Sequence, residues 1–226
     1  MTRVAVVDYG AGNLVSIARA LQAVGSEVAL ARDRAGLDGA DALVVPGVGA
    51  AAPAMARLRR HGLAGPIRAW AASGRPFLGI CLGLQLLFEG SDEDGAATLG
   101  VLPGRTVRLD GAPSLPHIGW NQVERRRDDP LLAGIADGAD FYFVHSYAVR
   151  PDGPGAAALT LAETEHGRRF VSAVGRGRLW GVQFHPERSG DDGLRLLANF
   201  VALADDERDS AAVSRVPPIG ARRADG

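Results

Sequence analysis

Phe77-Leu78-Gly79-Ile80-Cys81-Leu82-Gly83-Leu84-Gln85-Leu86-Leu87 runs an apolar strand into a cysteine with a glycine two residues away on either side, and then straight into a helical pattern. A side chain at such a strand-to-helix turn stands clear of the sheet, and the glycines allow a sharp bend and the approach of a substrate. The helix starting just after it offers unpaired N–H groups and a positive dipole end, which favour a thiolate and stabilise a developing oxyanion. Cys81 is also the only cysteine in the chain. Free cysteines are mostly inert and buried, so it is the glycine pattern that points to a nucleophile.

Outward from this stretch, the N-terminal half alternates strands and helices. Val4 to Val7 is a short apolar run ending at Asp8-Tyr9-Gly10-Ala11-Gly12-Asn13, after which Leu14, Ile17, Ala18, Leu21 and Val24 recur at helical spacing and Gly25 closes the helix. Gly10-x-Gly12 lacks the third glycine of a dinucleotide fingerprint, since Val15 stands there. Glu27 to Ala31 and Ala42 to Val45 read as further strands, the latter ending at Pro46-Gly47-Val48-Gly49. Ala50 to Arg60 and Leu63 to Ser73 read as helices split by His61-Gly62. Strands with no polar alternation, separated by helices, predict a mostly parallel open sheet covered on both faces, with reactive groups at the carboxyl ends of the strands. Asp8, the Pro46 to Gly49 loop and Cys81 all fall at such ends.

Past Glu89 the texture changes. An acidic loop, Ser91 to Gly95, precedes short segments at Thr106 to Leu109, Val123 to Arg125 and Phe141 to Val144 that read as antiparallel strands. Asp128-Asp129-Pro130-Leu131-Leu132 has the acidic cap and first-turn proline of a helix start. Ala157 to Ala162, Phe170 to Val174 and Leu179 to Phe184 continue the strands, and Asp191 to Leu203 forms a last helix. From Asp205 onward no periodicity remains, and a disordered tail is expected over 205–226.

At 226 residues, 46% hydrophobic, 23% charged and with a net charge of -1, the chain reads as one large soluble domain with no electrostatic call for nucleic acid or an acidic membrane. Every one of its 25 basic residues is arginine, which excludes Schiff-base and lysine general-base chemistry. A lone cysteine makes neither an internal disulfide nor a cysteine-rich metal site. The opening residues, Met1 to Asp8, match neither a signal peptide nor a membrane span, so a cytoplasmic location is expected.

A cysteine nucleophile needs a base, and the histidines are His61, His117, His145, His166 and His185. His61 in a helix break and His166 in a charged turn read as solvated surface residues. His117 and His145 lie in aromatic, strand-like segments and read as core or binding groups. His185 ends the run Leu179 to Phe184 and stands two residues before Glu187, with Pro186 between them. On an extended chain such a pair points the same way, so the carboxylate reaches the imidazole and fixes its tautomer. Cys81, His185 and Glu187 then form a triad.

Pro46-Gly47-Val48-Gly49, Gly79-Ile80-Cys81-Leu82-Gly83-Leu84-Gln85 and His185-Pro186-Glu187 resemble, in that order, three motifs of the class I glutamine amidotransferases. The resemblance spans residues 1–204. It implies hydrolysis of the glutamine side-chain amide without a cofactor or metal, an oxyanion hole made by the backbone N–H groups of Leu82 and of Val48 or Gly49, and glutamine contacts from Gly47, Gln85, Ser146 and Tyr147. The glycines of the Gly47 to Gly49 loop also let a peptide unit flip, which offers a switch. The released ammonia has to be consumed elsewhere, and the chain has no room for a synthase domain. Asp8 to Leu14, Pro116 to Asn121 and Tyr142 to Tyr147 resemble stretches of those glutaminase subunits that pair with a (β/α)8-barrel cyclase subunit as a heterodimer. By that resemblance Asn13 and Trp120 face the partner, while Arg188 stands where lysine is usual and changes the reach and donor geometry of that contact. A glutaminase for another synthase, a γ-glutamyl hydrolase, and a regulatory binding module on the same scaffold are the competing readings. The Tyr9 to Asn13 and His117 to Asn121 stretches argue against the other enzymes, and the complete triad argues against the module.

Overall fold

The computed structural model describes residues 1–214, with side chains to residue 205. Its strands are β1 (Arg3–Val7), β2 (Glu27–Ala31), β3 (Ala42–Gly47), β4 (Phe77–Cys81), β5 (Gly90–Ser91), β6 (Gly104–Arg108), β7 (His117–Arg125), β8 (Ala139–His145), β9 (Tyr147–Pro151), β10 (Thr160–Glu165), β11 (Arg169–Arg176) and β12 (Leu179–Val182). The helices are α1 (Leu14–Ala23), α2 (Ala51–Arg60), α3 (Ala64–Ala72), α4 (Leu82–Gln85), α5 (Ala156–Leu159) and α6 (Gly190–Ser214). Nine strands form one sheet in the order β2-β1-β3-β4-β12-β11-β10-β7-β8, and β5-β6-β9 form a small second sheet. From β2 to β12 neighbours run parallel; from β12 to β8 they run antiparallel.

The expected architecture is therefore the observed one, and the apolar runs explain it. Alternate residues of β1, β3 and β4 bury on opposite faces. Val4, Val6, Val44, Leu78 and Ile80 pack with Ile17 and Leu21 of α1 and Leu196, Leu197 and Phe200 of α6. Ala5, Val7, Leu43, Val45 and Phe77 pack with Met55 and Leu58 of α2 and Ile67 and Trp70 of α3. A strand buried on both faces cannot alternate polar with apolar, which is why these segments read as continuous apolar runs.

Several boundaries differ from the sequence expectation. Ala156–Leu159 is a helical turn rather than the start of a strand, because only Leu159 of that run is buried and pairing with β11 begins at Thr160. The Asp129 cap does work, its side chain accepting from Leu131 N, but it opens a single 3-10 turn over Pro130–Leu132. β7 begins at His117, well before Val123, through pairing with β8. The last helix continues beyond Leu203 to Ser214, and the rest of the expected tail, 215–226, lies outside the described residues. Among the described residues no helix is long and apolar enough to cross a membrane.

Candidate active site

The parallel order β3-β4-β12 brings the site together. Val45, Gly79 and Gly181 lie side by side in register, as do Gly47 and Cys81, and Val182 lies beside Ile80. The residues that follow β12, Gln183 to His185, thus arrive beside the end of β4 although about a hundred positions separate them in the chain. Cys81 adopts φ 55° and is the single non-glycine residue with positive φ among the described residues. Such a conformation costs of order 1–3 kcal/mol and persists only where the surroundings enforce it.

The bend at the nucleophile is therefore carried by Cys81, and the glycines serve a different purpose from the one the sequence suggested. A Cβ on Gly79 would come within 2.7 Å of the Gly83 carbonyl oxygen and 2.8 Å of Leu84 N. One on Gly83 would run into the Val45 carbonyl, one on Gly181 would sit 3.2 Å from Leu84 Cβ, and one on Gly47 would sit 3.0 Å from Leu82 Cβ. The absence of side chains on three adjacent strands seats α4 directly on the sheet. That helix is one turn long, so its dipole is a smaller influence on the sulfur than expected, and the burden falls on side chains around it.

His185 is one of these. Its backbone N–H donates to Tyr142 O at 2.9 Å, and its carbonyl accepts from Ser189 Oγ at 2.6 Å. Its Nδ1 lies 2.9 Å from Glu187 Oε1, with the two side chains 8% and 2% exposed. A carboxylate only accepts, so Nδ1 carries a proton and Nε2 is the atom left to exchange one with the sulfur. The link between the two residues comes from a tight 3-10 turn over Pro186–Arg188, with His185 as its cap, and not from the extended chain that the i, i+2 spacing implied. Burial works against a charged imidazole here, but hydrogen bonding and charge from Cys81 and Glu187 outweigh it and raise His185 to about 10. Nε2 is buried and makes no hydrogen bond of full geometry, while the Cys81 sulfur is near enough to act on it through hydrogen bonding as well as charge. Catalytic hydrogen bonds often tighten only once substrate is bound.

In front of Cys81 lies a cleft of about 250 Å³ lined by Val48, Gly49, Leu82, Gln85, Ser146 and Tyr147 together with Glu93, Pro116, Val144 and His145. Gly47 is absent from this wall and contributes packing instead. Gly49, at φ 89° with nothing within 4 Å of where a Cβ would stand, is the free element of its loop. Gln85 spends both N–H groups on the protein, donating to Tyr147 O and to Gln183 Oε1, each at 3.0 Å, which leaves its own carbonyl oxygen for a ligand. Gln183 was not legible as a site residue; it is completely buried, and its amide donates to Cys81 Sγ at 3.6 Å. Glu93 was seen only as part of an acidic loop. Partial burial and Asp94 raise its pKa, and its carboxylate suits an amino group at the rim of the cleft.

The two aromatic-segment histidines brace the wall. His145 Nδ1 lies 2.8 Å from Tyr147 O and must donate, so its Nε2 accepts from His117 Nδ1 at 3.1 Å, and His117 Nε2 in turn accepts from Asn121 at 3.1 Å. Burial lowers His117 to about 4 and His145 to about 3, so this row is neutral. His166, expected in solvent, stacks on His117 with ring centroids 4.0 Å apart. His61 is exposed, as expected.

On the outer surface Trp120 is 57% exposed and Ile118 60%, so neither belongs to the core. Trp120 meets Tyr142 edge to face at 6.1 Å, and the Arg188 guanidinium sits over Tyr142 at 4.1 Å. Tyr142 thus joins Trp120 to Arg188, a link the sequence did not show. Asn13 caps α1, accepting from Ser16 N at 3.3 Å.

Comparison with known proteins agrees with this geometry. The model of the family described as glutamine amidotransferase class-I matches residues 5–204. Imidazole glycerol phosphate synthase subunit HisH of Symbiobacterium thermophilum is 54% identical over 88% of this chain and 93% of that protein. The same subunit of Chromobacterium violaceum is 49% identical over 88% of this chain and 97% of that protein. Among solved structures, a glutamine amidotransferase covering 89% of this chain and 98% of its own superposes with a TM-score of 0.70 at 24% identity, which bears on the fold. With the elbow cysteine, its histidine and carboxylate, and the cleft all held on the matched segment, the chain belongs to the class-I glutamine amidotransferase family.

Proposed function

We propose that the chain is the glutaminase subunit of an imidazole glycerol phosphate synthase, hydrolysing glutamine and passing the ammonia to a (β/α)8-barrel cyclase that forms imidazole glycerol phosphate and a purine precursor in histidine biosynthesis. The observation that carries the reading is a complete Cys81-His185-Glu187 site on a chain about half identical to such subunits over most of its length.

The chemistry follows from the geometry. Cys81 thiolate attacks the carboxamide carbon, and the carbonyl electrons move to oxygen beside the N–H groups of Leu82 and of Val48 or Gly49. His185, held protonated at Nδ1 by Glu187, delivers the Nε2 proton to the departing nitrogen as the tetrahedral intermediate collapses to a thioester. Water then adds to the thioester while Nε2 takes its proton, and the thiolate leaves with glutamate as product. The Gln85 carbonyl oxygen, Ser146 and the Glu93 carboxylate supply polar groups for the amino-acid end of the substrate. A flip of a peptide unit around Gly49 offers a means of completing the oxyanion hole on demand. The exposed Trp120 and Arg188 with the half-buried Tyr142 between them form an aromatic-cationic patch of the kind that anchors interfaces, and it is our candidate for the cyclase contact. Asn13, already spent in part on its cap, stands at the start of α1, a helix that packs against the Pro186–Arg188 turn.

In the reconstituted complex, Cys81→Ala is expected to abolish glutamine-dependent synthesis while leaving synthesis from added ammonium salts intact. Loss of both activities, or failure of a barrel cyclase to co-purify from a native extract, overturns the assignment.

A further inference from the structure

Three consecutive hydrogen bonds determine the direction of a buried amide behind the nucleophile. The Tyr147 carbonyl can only accept, so the Gln85 side-chain atom 3.0 Å from it is the NH2 group. The same NH2 lies 3.0 Å from the Gln183 side chain, so the atom it meets there is Oε1. The NH2 of Gln183 is then the end that faces Cys81 Sγ at 3.6 Å. An amide is ordinarily free to be drawn either way round; here a backbone carbonyl decides it. Gln183 has no solvent exposure, and its own N–H is tied to Ser172 O at 2.8 Å.

We propose that Gln183 is a positioning residue of this glutaminase: its amide, oriented through Gln85 by the Tyr147 carbonyl, donates to the Cys81 sulfur, holds it on the elbow and favours the thiolate. Gln183 does not line the cleft and needs no contact with glutamine to do this. His185 approaches the sulfur as an acid and base that must give its proton away during turnover, whereas the Gln183 N–H does not titrate. The sulfur therefore keeps one donor that does not titrate each time it is a thiolate, before attack and again on leaving. A donor to sulfur stabilises the resting thiolate more than it speeds the attack of a thiolate already formed, because a better-stabilised thiolate is a slightly weaker nucleophile.

The inference rests on the glutaminase reading, but its test needs neither glutamine nor a partner. Cys81 is the only cysteine, so the rate of iodoacetamide alkylation of the full chain reports on it alone. Gln183→Met keeps an unbranched side chain of similar volume without the N–H. It is expected to slow alkylation near neutral pH about tenfold, the low end for a hydrogen bond to a charged group, while alkylation in alkaline solution, where the thiolate forms regardless, stays the same or rises slightly. Unchanged alkylation near neutrality in a variant with the native circular-dichroism spectrum and melting point overturns the proposal. Should Gln183→Met not fold, Gln85→Met decides the matter: with the orienting bond removed the Gln183 amide is free to turn, and neutral-pH alkylation is expected to fall in the same direction by a smaller factor. No change there overturns the proposal equally. A result on alkylation stands whichever way the Cys81→Ala synthesis test comes out.

Discussion

Gly79→Ala tests the claim that glycine at the elbow serves close packing rather than bending. Gly79 has an ordinary backbone conformation that alanine shares, so strain in φ predicts no effect at all. The added Cβ would instead stand 2.7 Å from the Gly83 carbonyl oxygen and 2.8 Å from Leu84 N, both backbone atoms of the α4 turn. Relief to an ordinary contact of 3.4 Å moves that turn by about 0.7 Å away from the sheet. Overpacking of this kind costs about 1–3 kcal/mol. For a domain of this size that lowers Tm by roughly 2–12 °C. The activity loss is larger in proportion, because the turn carries the Leu82 N–H and follows Cys81 directly. A misplacement of 1 Å costs on the order of 100-fold, so a tenfold to hundredfold fall in glutaminase rate is expected. The assays are thermal unfolding of the full chain and glutamate release by the complex. Gly83→Ala, whose Cβ would meet the Val45 carbonyl more closely still, should be worse on both measures. A Gly79→Ala protein with native melting point and rate, or one more impaired than Gly83→Ala, would refute the packing argument.

The remaining predictions concern pH and the surface. His117 and His145 are held neutral with values lowered to about 4 and 3, so the unfolded chain binds protons that the folded one does not, and stability falls as pH drops below about 6.5. His185 is shifted the other way, to about 10, so its contribution is fully present below about 6.5 and is lost as pH rises through 10. Each counts for about 1.4 kcal/mol per unit of pH inside its window; denaturant titrations across pH should show the acid-side loss fall to about half in His117→Phe, where His145 remains, and the alkaline-side loss disappear in His185→Gln, and an unaltered profile in either contradicts the assignment. Trp120→Ala should leave the melting point of the isolated chain within about 2 °C, since exposed positions change stability by roughly 0.5 kcal/mol or less. The same change should weaken cyclase binding by about 2 kcal/mol, near 30-fold in Kd by calorimetry; an unchanged Kd removes Trp120 from the interface.

Much of this molecule could be read from residue order because the signals are local. Val4 to Val7, Ala42 to Val45 and Phe77 to Ile80 are apolar without alternation, and only a strand covered on both faces makes that pattern favourable. Cys81 between Gly79 and Gly83, and His185 ahead of Glu187, are short-range patterns as well. Where local reading failed, the competing influence was tertiary. The Ala157 to Ala162 run has strand-like composition but begins in a helical turn, since its first residues have nothing to pack against. The His185-Glu187 contact is real, yet it is produced by a 3-10 turn that Pro186 opens. His166 has the composition of a solvated turn and is drawn onto His117, a residue far from it in the chain.

The sequence by itself determined the α/β class and pointed to Cys81 as nucleophile, His185 as its base and Glu187 as the carboxylate behind that base, because each depends on residue type within a span of a few positions. Only the tertiary structure decided how they work together, since that depends on strand order. Laying β12 beside β4 and β3 puts Gly181, Gly79 and Val45 in one row, clears a seat for α4 and forces the bend onto Cys81. The same register carries Gln183 to the Cys81 sulfur and lets the Tyr147 carbonyl orient both the glutamine pair on one side and the histidine row on the other. No spacing along the chain encodes those contacts, because a hydrogen bond has a direction only once both of its partners have a place.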